Sequence, residues 1–175
     1  MRTTSELGLV HVYTGNGKGK TTAALGLAMR ARGQGLRVCV LQFLKGGKGC
    51  GEHKFVEQFP AFEIEQISSE SAFGRTWEAL RASAQESVAL AAELSVSGKY
   101  DVLILDEILT ALQAGMVDCA QVLALIRGKL PNLELILTGR GAPPEIVEAA
   151  DLVTEMVPVK HPFDRGIQAR RGIEF

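Results

Sequence analysis

The sequence predicts an α/β domain with a mostly parallel central sheet covered by helices. Three observations carry that expectation. Apolar runs of strand length alternate with longer stretches rich in Ala, Glu and Leu. A glycine-rich loop, Thr14 to Gly19, sits between the first apolar run and the first such stretch. The chain of 175 residues is long enough for one domain, spanning 1–175, to bury a core without disulfides.

Residues 9–13 read as the first strand and 19–32 as the first helix, stopped near Gly33 and Gly35. Residues 37–44 form a second strand whose apolar run suggests burial on both faces. Residues 45–52 carry four glycines and read as a loop near the glycine-rich loop that follows the first strand, with His53 also in a loop. A short strand at 62–67 alternates apolar and polar positions, and 77–97 should be the longest helix. A strand at 101–105, a helix at 119–129 and a strand at 133–137 follow. Proline then starts a short helix at 143–150, before a last strand at 152–156. Residues 158–175 show no periodicity but carry Lys160, His161, Arg165, Arg170 and Arg171. They are either a frayed terminus or a site-closing tail.

Composition narrows the function classes. The formal net charge of −1 gives no electrostatic case for nucleic acid. No apolar run approaches the ~20 residues that span a bilayer, and residues 1–6 carry no apolar export signal. Cys39, Cys50 and Cys119 are an odd, widely spaced set, so three free thiols in a reducing cytoplasm are expected. The histidines His11, His53 and His161 lack zinc-site spacing, and His11 reads as structural.

The chemistry lies at strand ends. Gly15, Asn16, Gly17, Lys18, Gly19, Lys20, Thr21 and Thr22 follow a strand and open a helix, the order that cradles a nucleotide triphosphate. Backbone N–H groups and the helix N-terminus would face the anion, and Lys20 would add a point charge. The Thr21 hydroxyl is placed to ligate Mg²⁺. Thr14 stands where the usual phosphate-loop pattern has glycine. The strand at 101–105 ends in Asp106 and Glu107, and such a strand is expected beside the loop strand, with one carboxylate facing the metal. Arg140, after the next strand, is placed to reach a phosphate or to sit in a solvated turn.

Together these residues resemble the P-loop type of ATP:corrinoid adenosyltransferase. The resemblance rests on the loop with its Thr14 departure, Gln42 to Gly46, Leu105 to Glu107, Thr138 to Gly141 and Val159 to Gly166. It implies a three-layer, RecA-like P-loop NTPase fold. It also implies transfer of the 5′-deoxyadenosyl group of ATP to a Co(I) corrinoid, releasing tripolyphosphate. Cobyrinic acid a,c-diamide, cobinamide or cobalamin would be the acceptor. The resemblance further implies Mg²⁺, a homodimer, a flavoprotein as candidate reductant, and ATP contacts from Lys45 and Arg140. It favours Glu107 as the direct metal ligand, with Asp106 beside it, and Lys20 and Glu107 as the catalytic pair. Relatives often carry a Gly-Phe-Thr-Trp segment facing the corrinoid. Here Phe73 and Trp77 are spaced differently, and Trp77 could instead pack on the core. The stretch before Gly8 is short, so any N-terminal lid that longer relatives form is expected to be reduced or absent. A small-molecule kinase and a RecA-like ATPase switch share the loop and acidic strand and are the competing classes.

Overall fold

The structure is a computed structural model that describes residues 7–46, 49–68 and 74–175. Its six strands are β1 (Val10–Thr14), β2 (Val38–Gln42), β3 (Glu63–Glu65), β4 (Val102–Asp106), β5 (Glu134–Thr138) and β6 (Leu152–Glu155). They form one sheet in the order β3-β2-β4-β5-β1-β6, and every pairing is parallel. The α-helices among the described residues are α1 (Lys20–Gly33), α2 (Gly51–Gln58), α3 (Trp77–Val96), α4 (Ile108–Gln113), α5 (Cys119–Gly128) and α6 (Pro144–Ala149). This is the α/β, P-loop NTPase-like architecture that the sequence predicts.

Alternation along the strands builds two cores. Val102 and Ile104 of β4 join Val38, Val40 and Ile136 under Ala24, Ala28 and Ala31 of α1. These three alanines, one or two turns apart, bring α1 close to the sheet. Leu103 and Leu105 point the other way, into a larger cluster with Ala84, Val88 and Ala91 of α3 and Val122, Leu125 and Ile126 of α5. The result is three layers, with the strand C-termini gathered at one end.

Three expectations need correction. The acidic strand β4 does not run beside β1, because β5 lies between them. Gly51 and Glu52 begin α2 rather than ending a loop, so His53 is helical and buried. Helix α4 was not foreseen; its six residues are too few to show a period.

Candidate active site

Helix α1 begins without a side-chain cap and without an acidic residue in its first turn. The other long helices differ. On α3 the Thr76 hydroxyl accepts the Ala79 N–H, and on α5 Gln121 accepts the Asp118 N–H at 2.9 Å. The N-terminal N–H groups of α1 are thus left for an external anion. Close approach shapes the loop in front of them. A Cβ on Gly17 would lie 2.7 Å from the Met156 carbonyl oxygen, which instead accepts the Gly17 N–H at 2.6 Å. Gly15 has φ 95° and would collide with the same carbonyl.

Lys20 is folded into this loop. Its Nζ donates to the Gly15 and Gly17 carbonyls at 2.7 and 2.8 Å, and the residue is only 7% exposed. A lysine standing in solvent before the ligand arrives, as a free phosphate loop suggests, is therefore not what the structure has. Burial lowers its pKa, partly countered by Glu107, while Arg140 pushes further down and Asp106 pulls up.

The acidic end of β4 is the hub. Asp106 is fully buried. Its Oδ1 accepts from the Thr21 hydroxyl at 2.8 Å and the Thr138 hydroxyl at 2.7 Å, and its Oδ2 accepts from Lys45 Nζ at 2.8 Å. So Asp106 reaches the phosphate loop across the breadth of β5, with Thr138 at the end of that strand bridging the gap. Thr138 also accepts the Glu107 N–H at 3.0 Å. Glu107 turns away into the left-handed region at φ 66°, and its carboxylate accepts from the Thr110 hydroxyl. Leu44, just before Lys45, is the other non-glycine residue with positive φ among the described residues. Both departures flank the Lys45–Asp106 pair, where strain is commonly kept for function. Burial would depress the Lys45 pKa, but Asp106, together with Glu52 and Glu107, outweighs it and the net shift is upward.

Two cavities open at this end of the sheet. The smaller, about 290 Å³, is lined by Asn16 to Thr22, Glu107, Arg140, His161, Ile173 and Glu174. The larger, about 810 Å³ and mostly apolar, lies between α1, α2 and the C-terminal residues and includes Lys45, Leu25, Met29 and Phe55. Thr21, Thr22, Glu107, Ile173 and Glu174 line both. Lysine, arginine and free helical N–H groups in the small cavity suit a polyphosphate, and the apolar cleft suits an organic body.

The structure thus brings together Asn16 to Thr22, Glu107 and Arg140, with Gly15 behind Lys20 and Lys45 on the adjoining cleft. It does not bring Trp77 into either cavity. That side chain is 47% exposed and carries the Arg81 guanidinium 5.5 Å from its ring centroid, so it does not pack in the core. Phe73 lies outside the described residues. His11 is structural, as expected, bonding Glu134 at 2.7 Å. Cys39 is buried, which pushes its thiol up to about 12 and removes it as a nucleophile. Sequence reasoning missed Thr138 as the bridge to Asp106, and His161 and Glu174 on the phosphate cavity. The cationic tail was the signal that pointed toward the last two.

Comparison with known proteins decides the family. The family model described as ATP:corrinoid adenosyltransferase BtuR/CobO/CobP matches residues 6–175. The chain belongs to this family. It is 40% identical over 175 residues to a corrinoid adenosyltransferase of Pseudomonas aeruginosa, covering 97% of this chain and 85% of that one. It is 35% identical to the corrinoid adenosyltransferase CobA of Salmonella typhimurium, covering 97% and 87%. A corrinoid adenosyltransferase of Sinorhizobium shares 37% identity, with coverage of 98% and 82%. The family is one of transferases, and neither the kinase nor the ATPase-switch reading is favoured.

Proposed function

We propose that this chain transfers the 5′-deoxyadenosyl group of ATP to the Co(I) ion of a corrinoid and releases tripolyphosphate. The observation that carries the reading is the joining of a phosphate-sized cationic cavity to a larger apolar cleft across Thr21, Thr22 and Glu107. A triphosphate seated in the first leaves the nucleoside carbon at the seam, within reach of a second substrate. The reading places the γ-phosphate deepest in the loop, so that C5′ faces outward.

Co(I) brings its own electron pair. As it attacks C5′, the Co–C bond forms, the C5′–O bond breaks, and that pair leaves on the phosphate oxygen. No proton has to be removed, so no general base is required. The protein's tasks are to align C5′ with cobalt and to stabilise charge growing on the leaving triphosphate. Lys20, the α1 amides, Lys18 and Arg140 serve the second task. For Lys20 this means exchanging the Gly15 and Gly17 carbonyls for phosphate oxygens.

The donors Thr21, Asp106 and Glu107 offer only oxygen, which suits Mg²⁺. No group of three His, Cys, Asp or Glu side chains that could hold a metal exists among the described residues. That fits an ion held by one or two side chains plus phosphates and water. Thr21 and Glu107 would hold it directly, with Asp106 orienting Thr21 and accepting from bound water. Bound there, Mg²⁺ would neutralise negative charge on the triphosphate. Lys45 would then move from Asp106 toward the nucleotide. The same reading carries a homodimer, an electron-donating flavoprotein partner and a cytoplasmic location, where a reducing milieu suits both Co(I) and three free thiols.

The test is incubation of the purified chain with ATP, Mg²⁺ and chemically reduced cobinamide or cobalamin, followed by mass spectrometry of the corrinoid. A gain equal to one 5′-deoxyadenosyl group supports the reading, and an unmodified corrinoid with each of the candidate acceptors overturns it.

A further inference from the structure

The C-terminal turn makes a contact that the transfer reaction does not by itself require. Gly172 N–H donates to the Phe175 carbonyl at 2.7 Å, and the Ile173 and Glu174 N–H groups donate to the Arg170 carbonyl at 3.2 and 2.9 Å. Arg170 Nε and Nη2 then clasp the Glu174 carboxylate at 3.2 and 3.0 Å. The turn is therefore held from within. It is docked through the phosphate loop: Lys18 Nζ donates to the Ile173 carbonyl and to Glu174 Oε1, both at 2.9 Å.

The docking point matters because Ile173 and Glu174 line both cavities. The turn lies across the seam that an ATP molecule must occupy. It also sets a carboxylate on a cavity whose other charged lining residues are Lys18, Lys20, Arg140 and Glu107. Arg170 and Lys18 hold the Glu174 carboxyl down at about 2, so it is ionised at neutral pH. An incoming triphosphate and this carboxylate compete for one ammonium group.

We propose that Glu174 is a displaceable counter-ion for Lys18, holding it in the free protein and yielding it to the polyphosphate when the site fills. The proposal rests on the triphosphate reading of the small cavity. Breaking the Lys18–Glu174 pair is a cost that ATP must meet on entry, and re-forming it favours release of tripolyphosphate. The turn thus sets how tightly the site keeps its product. Arg170 supports the strap by holding Glu174 when Lys18 is taken away.

Calorimetric titration with ATP and, separately, with inorganic tripolyphosphate, each with Mg²⁺, tests this on wild type, Glu174→Gln and Arg170→Gln. Glu174→Gln should tighten both ligands by about two- to fivefold, the range an exposed ion pair supports. The gain should shrink in ~1 M salt, where surface charges are screened. Arg170→Gln removes the guanidinium but leaves the carboxylate with Lys18 and the backbone N–H of position 170, which donates to it at 2.7 Å, and should bind both ligands no more tightly than wild type. Unchanged or weaker binding by Glu174→Gln overturns the proposal. So does equal tightening by both variants, which would mean only that a loosened tail exposes the site. Wild type that binds neither ligand would overturn the triphosphate reading, and the proposal with it.

Discussion

Strands β4 and β6 belong to one parallel sheet and meet different surroundings. All five residues of β4 are buried, whereas all four of β6 are exposed. β4 ends at Asp106, which Thr21, Thr138 and Lys45 hold from three sides. β6 hands over to Met156, whose carbonyl touches the loop at Gly17, and then to a tail of exposed residues. The difference teaches where each task is kept. On the proposed reading, handling of phosphate charge would hang from the packed centre of the sheet, where Asp106 is held by three donors. Access to the site would hang from its open edge, where exposed bonds from Lys18 and Arg170 hold the C-terminal turn.

The comparison breaks most sharply at the centre. Lys20→Ala should lower turnover by about 10²-fold or more, as removing a preorganised charge stabiliser does. It should also destabilise the fold by about 1–3 kcal/mol, because the Gly15 and Gly17 carbonyls lose a buried donor. Steady-state kinetics and a thermal melt check both; near-normal turnover at saturating ATP would remove Lys20 from the chemistry.

The two adjacent carboxylates sharpen the contrast within a single step of chain. Asp106→Asn should cost about 1–3 kcal/mol of stability, since an amide cannot accept from Thr21, Thr138 and Lys45 together. Glu107→Gln, with its side chain on the cavity, should leave the melting temperature nearly unchanged. Both should raise the Mg²⁺ needed for half-maximal rate: at Glu107 because a neutral amide is a poor ligand for a hard cation, at Asp106 because the Thr21 hydroxyl loses the carboxylate that orients it. Equal melting temperatures for the two variants would contradict the assigned division between buried hub and cavity wall.

The smallest effect is expected at the rim. Trp77 is exposed and stacked on Arg81, so Trp77→Ala should shift stability by no more than about 0.5 kcal/mol. If Trp77 faces the corrinoid, turnover with Co(II) cobalamin reduced on the enzyme should fall about two- to tenfold. Turnover with cobinamide, which lacks the nucleotide base that ligates cobalt, should fall less. Equal rates on both corrinoids in wild type and variant would take Trp77 out of the site.

The same division explains what could be read from the chain beforehand. The loop with α1, and the acidic end of β4, are each local patterns that can be read from consecutive residues. The placement of β5 between β1 and β4 is a property of strand order, which no local pattern encodes. That is why Thr138 went unrecognised as the bridge to Asp106. Helix α2 was hidden because it starts at Gly51 inside a glycine-rich run that reads as loop. The contact of Lys18 with Glu174 joins residues 156 positions apart, and nothing in either neighbourhood announces it. The burial of Lys20 is likewise illegible in the sequence, because its partners are backbone carbonyls, which carry no sequence signature.

On the proposed function, the phosphate cavity serves a leaving tripolyphosphate rather than a transferred phosphoryl group. Phosphorus NMR of the reaction with ATP, Mg²⁺ and Co(I) corrinoid tests it most directly. Intact tripolyphosphate should appear in step with alkylated corrinoid, and none should appear when the corrinoid is omitted. ADP with a phosphorylated acceptor, or ADP with inorganic phosphate, formed at the same rate without corrinoid would contradict it.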